Sequence, residues 1–311
     1  MSELILHHYP QSPVTEKVRI ALGIKKLRWR SVEIPRLPPR PLLIPMTGGY
    51  RRTPVLQIGS DIFCDSQCIL RELDRRFPEY PLVNEPLGEM AWSISRWIDG
   101  PVFTSAIAVV LGSAKDLPAD FAADRWRLYF GEHFKLECLQ QEVRHHVSQL
   151  RGQLEWADHM LQSQYALSLP FFSGSSPGLV DIMMYYIVWF VSGRWDEGDN
   201  FLQEFSQLVA WQSRMKSIGH GSVKEISAEE ALSVASHSFT STEIEKECFG
   251  ESDWQPGMKV SILPDVGGGD PEVQGDLISI NSTQIAIKRS DSKAGNVVIH
   301  FPRIGYRINP I

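Results

Sequence analysis

Two serines stand where the sequence pattern predicts the beginning of a helix. Ser12 precedes a segment whose apolar residues recur at helical spacing up to Leu22, and Ser66 begins a second such segment that runs to Phe77. The unpaired N–H groups and the dipole at a helix N-terminus favour an anion, so a hydroxyl there can donate to a thiolate and stabilise it. The common alternative is a serine that only caps its helix. The residues by themselves leave both interpretations open.

The elements that must position these serines follow a βαβ–ββα pattern. Strand-like runs at Leu4–His8 and Leu27–Ile34 flank the first helix, and a proline-rich loop then ends at Gly48-Gly49. Val55–Ile58 and Ile62–Cys64, separated by a short turn, predict a β-hairpin before the second helix. The pattern is complete by about residue 80.

The composition of the chain then changes twice. Up to about His220 only amphipathic stretches at helical spacing occur, which predicts an all-helical domain. After Ser222 one more helix is followed by short alternating runs between glycine-rich turns, which predicts a small, mainly β, barrel-like module. The predicted domains are residues 1–80, 86–222 and 223–311.

Composition and charge argue against several classes of partner. The chain of 311 residues is 43% hydrophobic and 22% charged, which is typical of a soluble protein with two or three domains. Its net charge of -6 provides no broad basic field, so we expect no binding to nucleic acid or to anionic membranes. We also expect no signal peptide and no apolar stretch of the roughly 20 residues that span a bilayer.

The cysteines show neither metal nor redox spacing. Cys64, Cys68, Cys138 and Cys248 form no CxxC pair, and no matching pair of histidines lies near them. We therefore expect no metal site and no dithiol redox centre. Unpaired cysteines of this kind fit a reducing compartment, so we expect a cytoplasmic protein.

Three motifs carry a resemblance to a known family. The stretch YPQSPVTEKVRIAL from Tyr9 resembles the first strand-to-helix turn of the glutathione transferases, in which a Ser or Cys, here Ser12, lies five residues before a Lys-Val-Arg run. Thr53-Pro54 is similar to the cis-proline turn of that family, and Asp65-Ser66 to its acidic-Ser pair. The resemblance extends to about residue 220 and implies a thioredoxin-like domain followed by a helical domain.

The resemblance also implies a role for each of these residues. Ser12 would stabilise the thiolate of glutathione, and Thr53, preceding a cis Pro54, would offer its backbone to the cysteinyl part. Asp65 would pair with the α-ammonium of the γ-glutamyl group, and Ser66 would bind the α-carboxylate. Glutathione is thus the expected co-substrate, with no metal.

Two neighbouring positions leave alternatives. Tyr9 is the rival hydroxyl, because other branches of the family use a tyrosine at the end of the first strand, but the spacing favours Ser12. Arg51 or Arg52 could pair with the glycyl carboxylate, although exposed arginines beside a turn are more often solvated. The loop from Pro35 lacks the Asn-Pro-x-Gly-x-Val-Pro motif that the family usually has at the glycyl end of the site.

Residues outside these motifs are interpreted as structural. Asp181 matches the capping box that opens a buried helix in the family, with Gly178 in place of the usual Ser or Thr. In the C-terminal module, the segment His300–Tyr306 and the pair Asp265 and Asp270 favour a structural or partner-docking role over a ligand site.

Three functional hypotheses result. The first is a transferase in which bound glutathione attacks a small apolar electrophile held by the helical domain. The second is thiol exchange or dehydroascorbate-type reduction, which usually needs a cysteine at the position of Ser12; Cys64 and Cys68 are expected to be buried and to be poor substitutes. The third is a non-catalytic scaffold that uses the C-terminal module to bind a partner. The resemblance also implies a homodimer.

Overall fold

Ten strands form a sheet in the described part of the chain, which in this computed structural model comprises residues 3–131, 136–238, 254–266 and 268–311. Cys248 lies outside the described residues. The strands are β1 (Leu4–His8), β2 (Arg28–Glu33), β3 (Val55–Ile58), β4 (Asp61–Cys64), β5 (Ser222–Glu225), β6 (Lys259–Pro264), β7 (Val273–Ile280), β8 (Gln284–Asp291), β9 (Gly295–Pro302) and β10 (Tyr306–Pro310). The helices are α1 (Pro13–Ile24), α2 (Ile44–Thr47), α3 (Ser66–Arg76), α4 (Met90–Trp97), α5 (Phe103–Gly112), α6 (Ala119–Phe130), α7 (Leu136–Ala166), α8 (Leu179–Arg194), α9 (Gly198–Leu202), α10 (Ser206–Ile218) and α11 (Ala228–His237).

The first four strands form the thioredoxin-like arrangement that the sequence predicts. β1 runs parallel to β2 and antiparallel to β3, so that Leu6 lies opposite Ser31 on one side and Leu56 on the other. β3 continues into a hairpin with β4, and α3 follows directly. Every residue of β1, β3 and β4 is buried, which is typical of strands covered on both faces.

The C-terminal strands are present as expected, and they join this first sheet through β9. The strand order is β10-β6-β7-β8-β9-β4-β3-β1-β2-β5, so β9 lies beside β4 and β5 lies beside β2. Without these neighbours, β4 and β2 would be edge strands with unpaired backbone N–H and C=O groups. The pairing satisfies those groups, which is the physical reason for the continuous sheet.

A buried polar pair joins β9 to β4. His300 Nε2 lies 3.1 Å from Asp61 Oδ1, and the imidazole stacks on Phe63 with ring centroids 4.3 Å apart. The Gln284 amide nitrogen lies 2.8 Å from His300 Nδ1. Because an amide N–H donates, Nδ1 accepts, and the ring proton of a neutral His300 is on Nε2, facing the Asp61 carboxylate.

A second buried network ties α11 to β1 and β3. Gln57 Nε2 donates to the carbonyls of Gly59 (3.0 Å) and Ala231 (2.8 Å). Its Oε1 is then left to accept from His7 Nε2 at 2.9 Å, so His7 carries its ring proton on Nε2. Burial lowers the pKa of His7 to about 4, and the hydrogen bond with Gln57 opposes that shift.

The chain divides into two compact units. The first contains Met1–Val18, Leu27–Arg75 and Ser222–Ile311, and the second contains Arg19–Lys26 and Arg76–Gly221. In space, the C-terminal segment therefore belongs with the thioredoxin-like strands. The second unit is the predicted helical domain.

Asp181 organises the start of α8 in the helical unit. Its fully buried carboxylate accepts four hydrogen bonds: Oδ1 from Phe172 N (2.9 Å) and Trp211 Nε1 (2.8 Å), and Oδ2 from Ser173 N (3.0 Å) and Gly178 N (3.1 Å). Burial raises the pKa of Asp181, and the donated hydrogen bonds oppose the rise. These contacts join α8 to the preceding loop and to α10, which is the structural role expected from the sequence.

One sequence expectation about membranes is wrong. Among the described residues, the continuous helical stretch Met90–Gly112, which includes a π-helical turn at Ile98–Val102, is long and apolar enough to cross a bilayer. More than half of its most apolar part is buried inside the protein. Core helices of soluble proteins pass the same test, so length and composition do not by themselves identify a membrane span.

Replacing Asp181 with asparagine should destabilise the protein by about 3 kcal/mol, because an amide group would turn N–H donors toward two backbone N–H groups. The measurement is urea unfolding. Asp196→Asn is the matched control: its side chain is 81% exposed, so its change should stay within about 0.5 kcal/mol. Equal stability of the two variants would contradict the role of Asp181.

Acid should weaken the first unit through His7. Its pKa is about 4 when folded and 6.5 in the reference state, so between these pH values the unfolded chain binds a proton that the folded chain does not. Stability should therefore fall as pH drops from about 6.5 to 4, by up to about 3 kcal/mol from this group. His7→Gln should flatten the dependence in denaturant titrations, whereas the exposed His237→Gln should retain it.

Candidate functional site

Ser12 is the N-cap of α1. Its carbonyl accepts from Glu16 N (3.3 Å), and its Oγ accepts from Thr15 N (3.2 Å). The capping interpretation is therefore correct, yet it leaves the hydroxyl proton available, because Oγ acts only as an acceptor in that bond. Ser12 is 2% exposed, so a ligand thiol would have to approach it closely.

The turn before β3 contains the expected cis bond between Thr53 and Pro54. Thr53 Oγ1 is buried and has no hydrogen-bond partner among the described residues. Gln11 Oε1, next to Ser12 in the chain, is also buried and has no hydrogen-bond partner among the described residues. Two buried oxygens in or beside the predicted motifs therefore have no hydrogen-bond partner among the described residues.

Asp65, and not Ser66, is the N-cap of α3. The carbonyl of Asp65 accepts from Ile69 N (3.0 Å), its Oδ1 accepts from Gln67 N (2.8 Å), and Ser66 is the first helical residue. The expectation that Ser66 caps the helix is therefore wrong. Asp65 has a φ of 76°, a left-handed conformation that costs a non-glycine residue about 1 kcal/mol and is frequent at functional sites.

A buried lysine links the two helix starts. Lys17 Nζ, in the second turn of α1, lies 3.4 Å from Ser66 Oγ at the beginning of α3. Both residues are buried. Because Lys17 donates, the Ser66 hydroxyl proton remains free to bind an acceptor, and the ammonium and the helix N-terminus together favour a carboxylate at this point.

The C-terminal strands contribute directly to this region. Tyr306 Oη, at the start of β10, donates to Asp65 Oδ2 at 3.1 Å and lies 3.1 Å from Tyr50 Oη. Burial raises the pKa of both phenols well above their usual value, so both are neutral at pH 7. Sequence reasoning missed these two residues, since nothing in a lone tyrosine indicates a partner 241 positions away.

Arg52 is already paired, which removes it as a partner for the glycyl carboxylate. Its Nε and Nη2 donate to the two carboxylate oxygens of Asp270 at 2.9 and 2.7 Å, and Nη2 also donates to the Val266 carbonyl at 3.0 Å. Burial lowers the pKa of Arg52, but the pairing with Asp270 outweighs burial and leaves the pKa above its ordinary value. Asp270 therefore has the structural role that the sequence suggests.

The remaining candidates are not arranged for catalysis. Tyr9 belongs to the apolar core of the first unit. Cys64 and Cys68 are free and buried, and burial raises the pKa of both thiols well above the usual value. Over the described parts of the chain, no group of three or more His, Cys, Asp or Glu side chains could hold a metal ion.

Comparisons with known proteins agree with this fold. Residues 6–81 match the family "Glutathione S-transferase, N-terminal domain". A GST-like protein from Pseudomonas syringae superposes with a TM-score of 0.77 at 29% sequence identity, covering 100% of both chains. The Tau class glutathione S-transferase MiGSTU from mango, Mangifera indica, has a TM-score of 0.53 at 17% identity and covers 70% of this chain and 92% of its own. FzlA from C. crescentus has a TM-score of 0.51 at 20% identity and covers 69% of this chain and 88% of its own. No protein of curated function matches the sequence.

These similarities establish the thioredoxin-like glutathione transferase N-terminal domain and the helical domain behind it. The mango protein leaves uncovered a share of this chain about as large as the C-terminal segment, whereas the alignment with the Pseudomonas syringae protein includes that segment. The match to the Pseudomonas syringae protein thus spans the whole of this chain, and the match to the mango protein spans 70% of it.

Replacing Asp270 with asparagine should lower the free energy of unfolding by about 2 kcal/mol, because it removes the charge that pairs with a mostly buried Arg52. Asp265→Asn is the control, since Asp265 is 49% exposed and its nearest Arg307 nitrogen is 3.9 Å away. The control should change stability by less than about 0.5 kcal/mol in denaturant titrations. Similar losses in both variants would show that the Arg52–Asp270 pair contributes little.

Proposed function

We propose that this protein is a glutathione-dependent transferase that uses Ser12 to stabilise the glutathione thiolate. One observation carries the proposal: Lys17, from the helix that Ser12 caps, donates to Ser66 on the helix that Asp65 caps. The first unit thus contains a hydroxyl suited to a thiolate, on Ser12. It also contains a hydroxyl, an ammonium and a carboxylate, on Ser66, Lys17 and Asp65, that suit the charged end of an amino acid. Glutathione has both a thiol and such an amino acid end.

The proposed chemistry requires a positioned, deprotonated thiol. The Ser12 hydroxyl donates to the sulfur, and the N-terminal dipole of α1 favours the anion, so the pKa of the bound thiol falls below its free value of about 8.5–9. The thiolate attacks an electrophilic carbon, a new S–C bond forms, and the leaving group departs with its electron pair. The Thr53 backbone and its Oγ1, which has no hydrogen-bond partner among the described residues, would hold the cysteinyl part.

The buried thiols disfavour thiol exchange as the reaction. Such chemistry needs an accessible thiolate, but Cys64 and Cys68 are buried and have raised pKa values. Ser12 itself cannot form a mixed disulfide.

A non-catalytic binding protein is the second candidate. The contact that favours it is the hydrogen bond from Tyr306 to Asp65, because a carboxylate already bound by the protein has less capacity for a ligand. In that case glutathione would bind weakly, and the protein would act through a partner. A homodimer, which the resemblance implies, would be consistent with either candidate and can be tested by sedimentation.

Ser12→Ala should raise the pKa of the bound glutathione thiol toward its free value and reduce transfer to a model electrophile by about 100-fold. The thiolate is followed by its ultraviolet absorbance as a function of pH. Ser227→Ala is the matched control, since Ser227 caps α11 through Glu230 N in the same way that Ser12 caps α1. It should lose similar stability, about 1 kcal/mol, and keep the thiolate.

Calorimetric titration of glutathione distinguishes the two candidate functions. Micromolar to millimolar binding that Asp65→Ala and Ser66→Ala abolish would support the transferase site. A thiolate that persists in Ser12→Ala would contradict the role of Ser12. Absence of glutathione binding to the wild-type protein would contradict the proposed function and favour the scaffold.

A further inference from the structure

We propose that Tyr306, supplied by the C-terminal strands, is a positioning residue of the glutathione site: it orients the Asp65 carboxylate toward the α-ammonium of the γ-glutamyl group. The inference rests on the proposed function, because it assumes that glutathione binds at Asp65. It assigns the added strands a share in ligand selection.

The direction of the hydrogen bonds supports this role. Tyr306 Oη donates its only proton to Asp65 Oδ2, so in its contact with Tyr50 it must accept. The chain therefore runs from Tyr50 through Tyr306 to the carboxylate. Each donated bond polarises the next, which strengthens the bond that reaches Asp65.

Each oxygen of the Asp65 carboxylate accepts one hydrogen bond from the protein and keeps a further acceptor position. Gln67 N donates to Oδ1 and Tyr306 Oη donates to Oδ2, so both oxygens are fixed in space. A carboxylate has about four acceptor positions, so one on each oxygen remains for an outside donor. An ammonium group suits these remaining acceptor positions because it has only hydrogen-bond donors. A carboxylate that is already held in place binds the ammonium at a lower entropic cost.

Tyr306 is built into the sheet. β10 pairs with β6 over five residues from Tyr306 to Pro310. The Tyr306 ring packs against Phe301, which in turn contacts Tyr50 edge to face. The Arg52–Asp270 pair joins the chain beyond β6 to the turn before β3. These contacts hold Tyr306 within the sheet, next to Asp65.

The test uses two ligands that differ only at the amine: glutathione, and its deamino analogue, glutaryl-cysteinyl-glycine. Calorimetry on the full chain should show that Tyr306→Phe weakens glutathione binding about tenfold and leaves the affinity for the analogue within about twofold. Tyr50→Phe is the matched control: it removes a phenol from the same cluster without touching Asp65, and its effect on glutathione should be below about threefold.

A double-substitution cycle tests whether Tyr306 acts through Asp65. In the Asp65→Asn background, Tyr306→Phe should cause no further loss of glutathione affinity. Additive losses, or equal losses for both ligands in Tyr306→Phe, would overturn the inference in favour of a general structural role. Tighter glutathione binding in Tyr306→Phe would overturn it in the other direction, since Tyr306 would then block the site.

Failure of the proposed function gives a different result. If the wild-type protein binds neither ligand, or if Asp65→Asn leaves glutathione affinity unchanged, the site itself is misassigned and the role of Tyr306 fails with it. If the wild-type protein depends on Asp65 but not on Tyr306, only the present inference fails.

Discussion

The parallel pairing of β9 with β4 determines where the rest of the C-terminal segment lies. β4 ends at Cys64, one residue before Asp65, so any strand that joins it brings its neighbours to the start of α3. The buried contact between His300 and Asp61 adds a polar requirement to this pairing, since an Asp61 carboxylate in the interior needs donors. Backbone pairing and the hydrogen bond between His300 and Asp61 thus favour the same register.

This register brings the added strands into contact with residues of the candidate site. β10 begins at Tyr306, shortly after β9 ends at Pro302, so Tyr306 lies within hydrogen-bonding distance of Asp65. Asp270, in the connection between β6 and β7, pairs with Arg52. Asp65 and Arg52, two residues that the sequence suggested for the candidate site, are therefore hydrogen-bonded within the chain itself.

Close packing restricts the residue type at one position of the proline-rich loop. Gly48 ends α2 with a φ of 65°, and a Cβ there would lie 2.8 Å from Val273 Cγ1 in β7. The loop that lacks the Asn-Pro-x-Gly-x-Val-Pro motif thus contains a glycine whose missing side chain leaves room for β7. A side chain at this position would be strained by the backbone and would also collide with β7.

The elements of the thioredoxin-like and helical parts could be predicted from the sequence, because those signals are local, and the motifs supplied the residues of the candidate site as a hypothesis. Periodicity identified the strands and helices, and the capping positions of Ser12 and Asp181 lie beside the helices they serve. Asp65-Ser66 was identified by its motif, although the expected N-cap was Ser66 and the structure has Asp65 at that position. A capping position depends on backbone dihedral angles that two adjacent polar residues do not specify.

Only the tertiary structure determined how the C-terminal strands join the fold. Alternating apolar residues predict a strand but not its neighbour, so the sequence was consistent with a separate barrel as well as with an extension of the first sheet. The same limit applies to Gly178, where a Cβ would lie 2.7 Å from the Leu82 carbonyl. Contacts between residues far apart in the chain depend on the packing of whole elements, and single residue types carry no local signal for them. The sequence by itself therefore determined the elements and the motif residues, and the tertiary structure decided which of those residues have hydrogen-bond partners from distant parts of the chain.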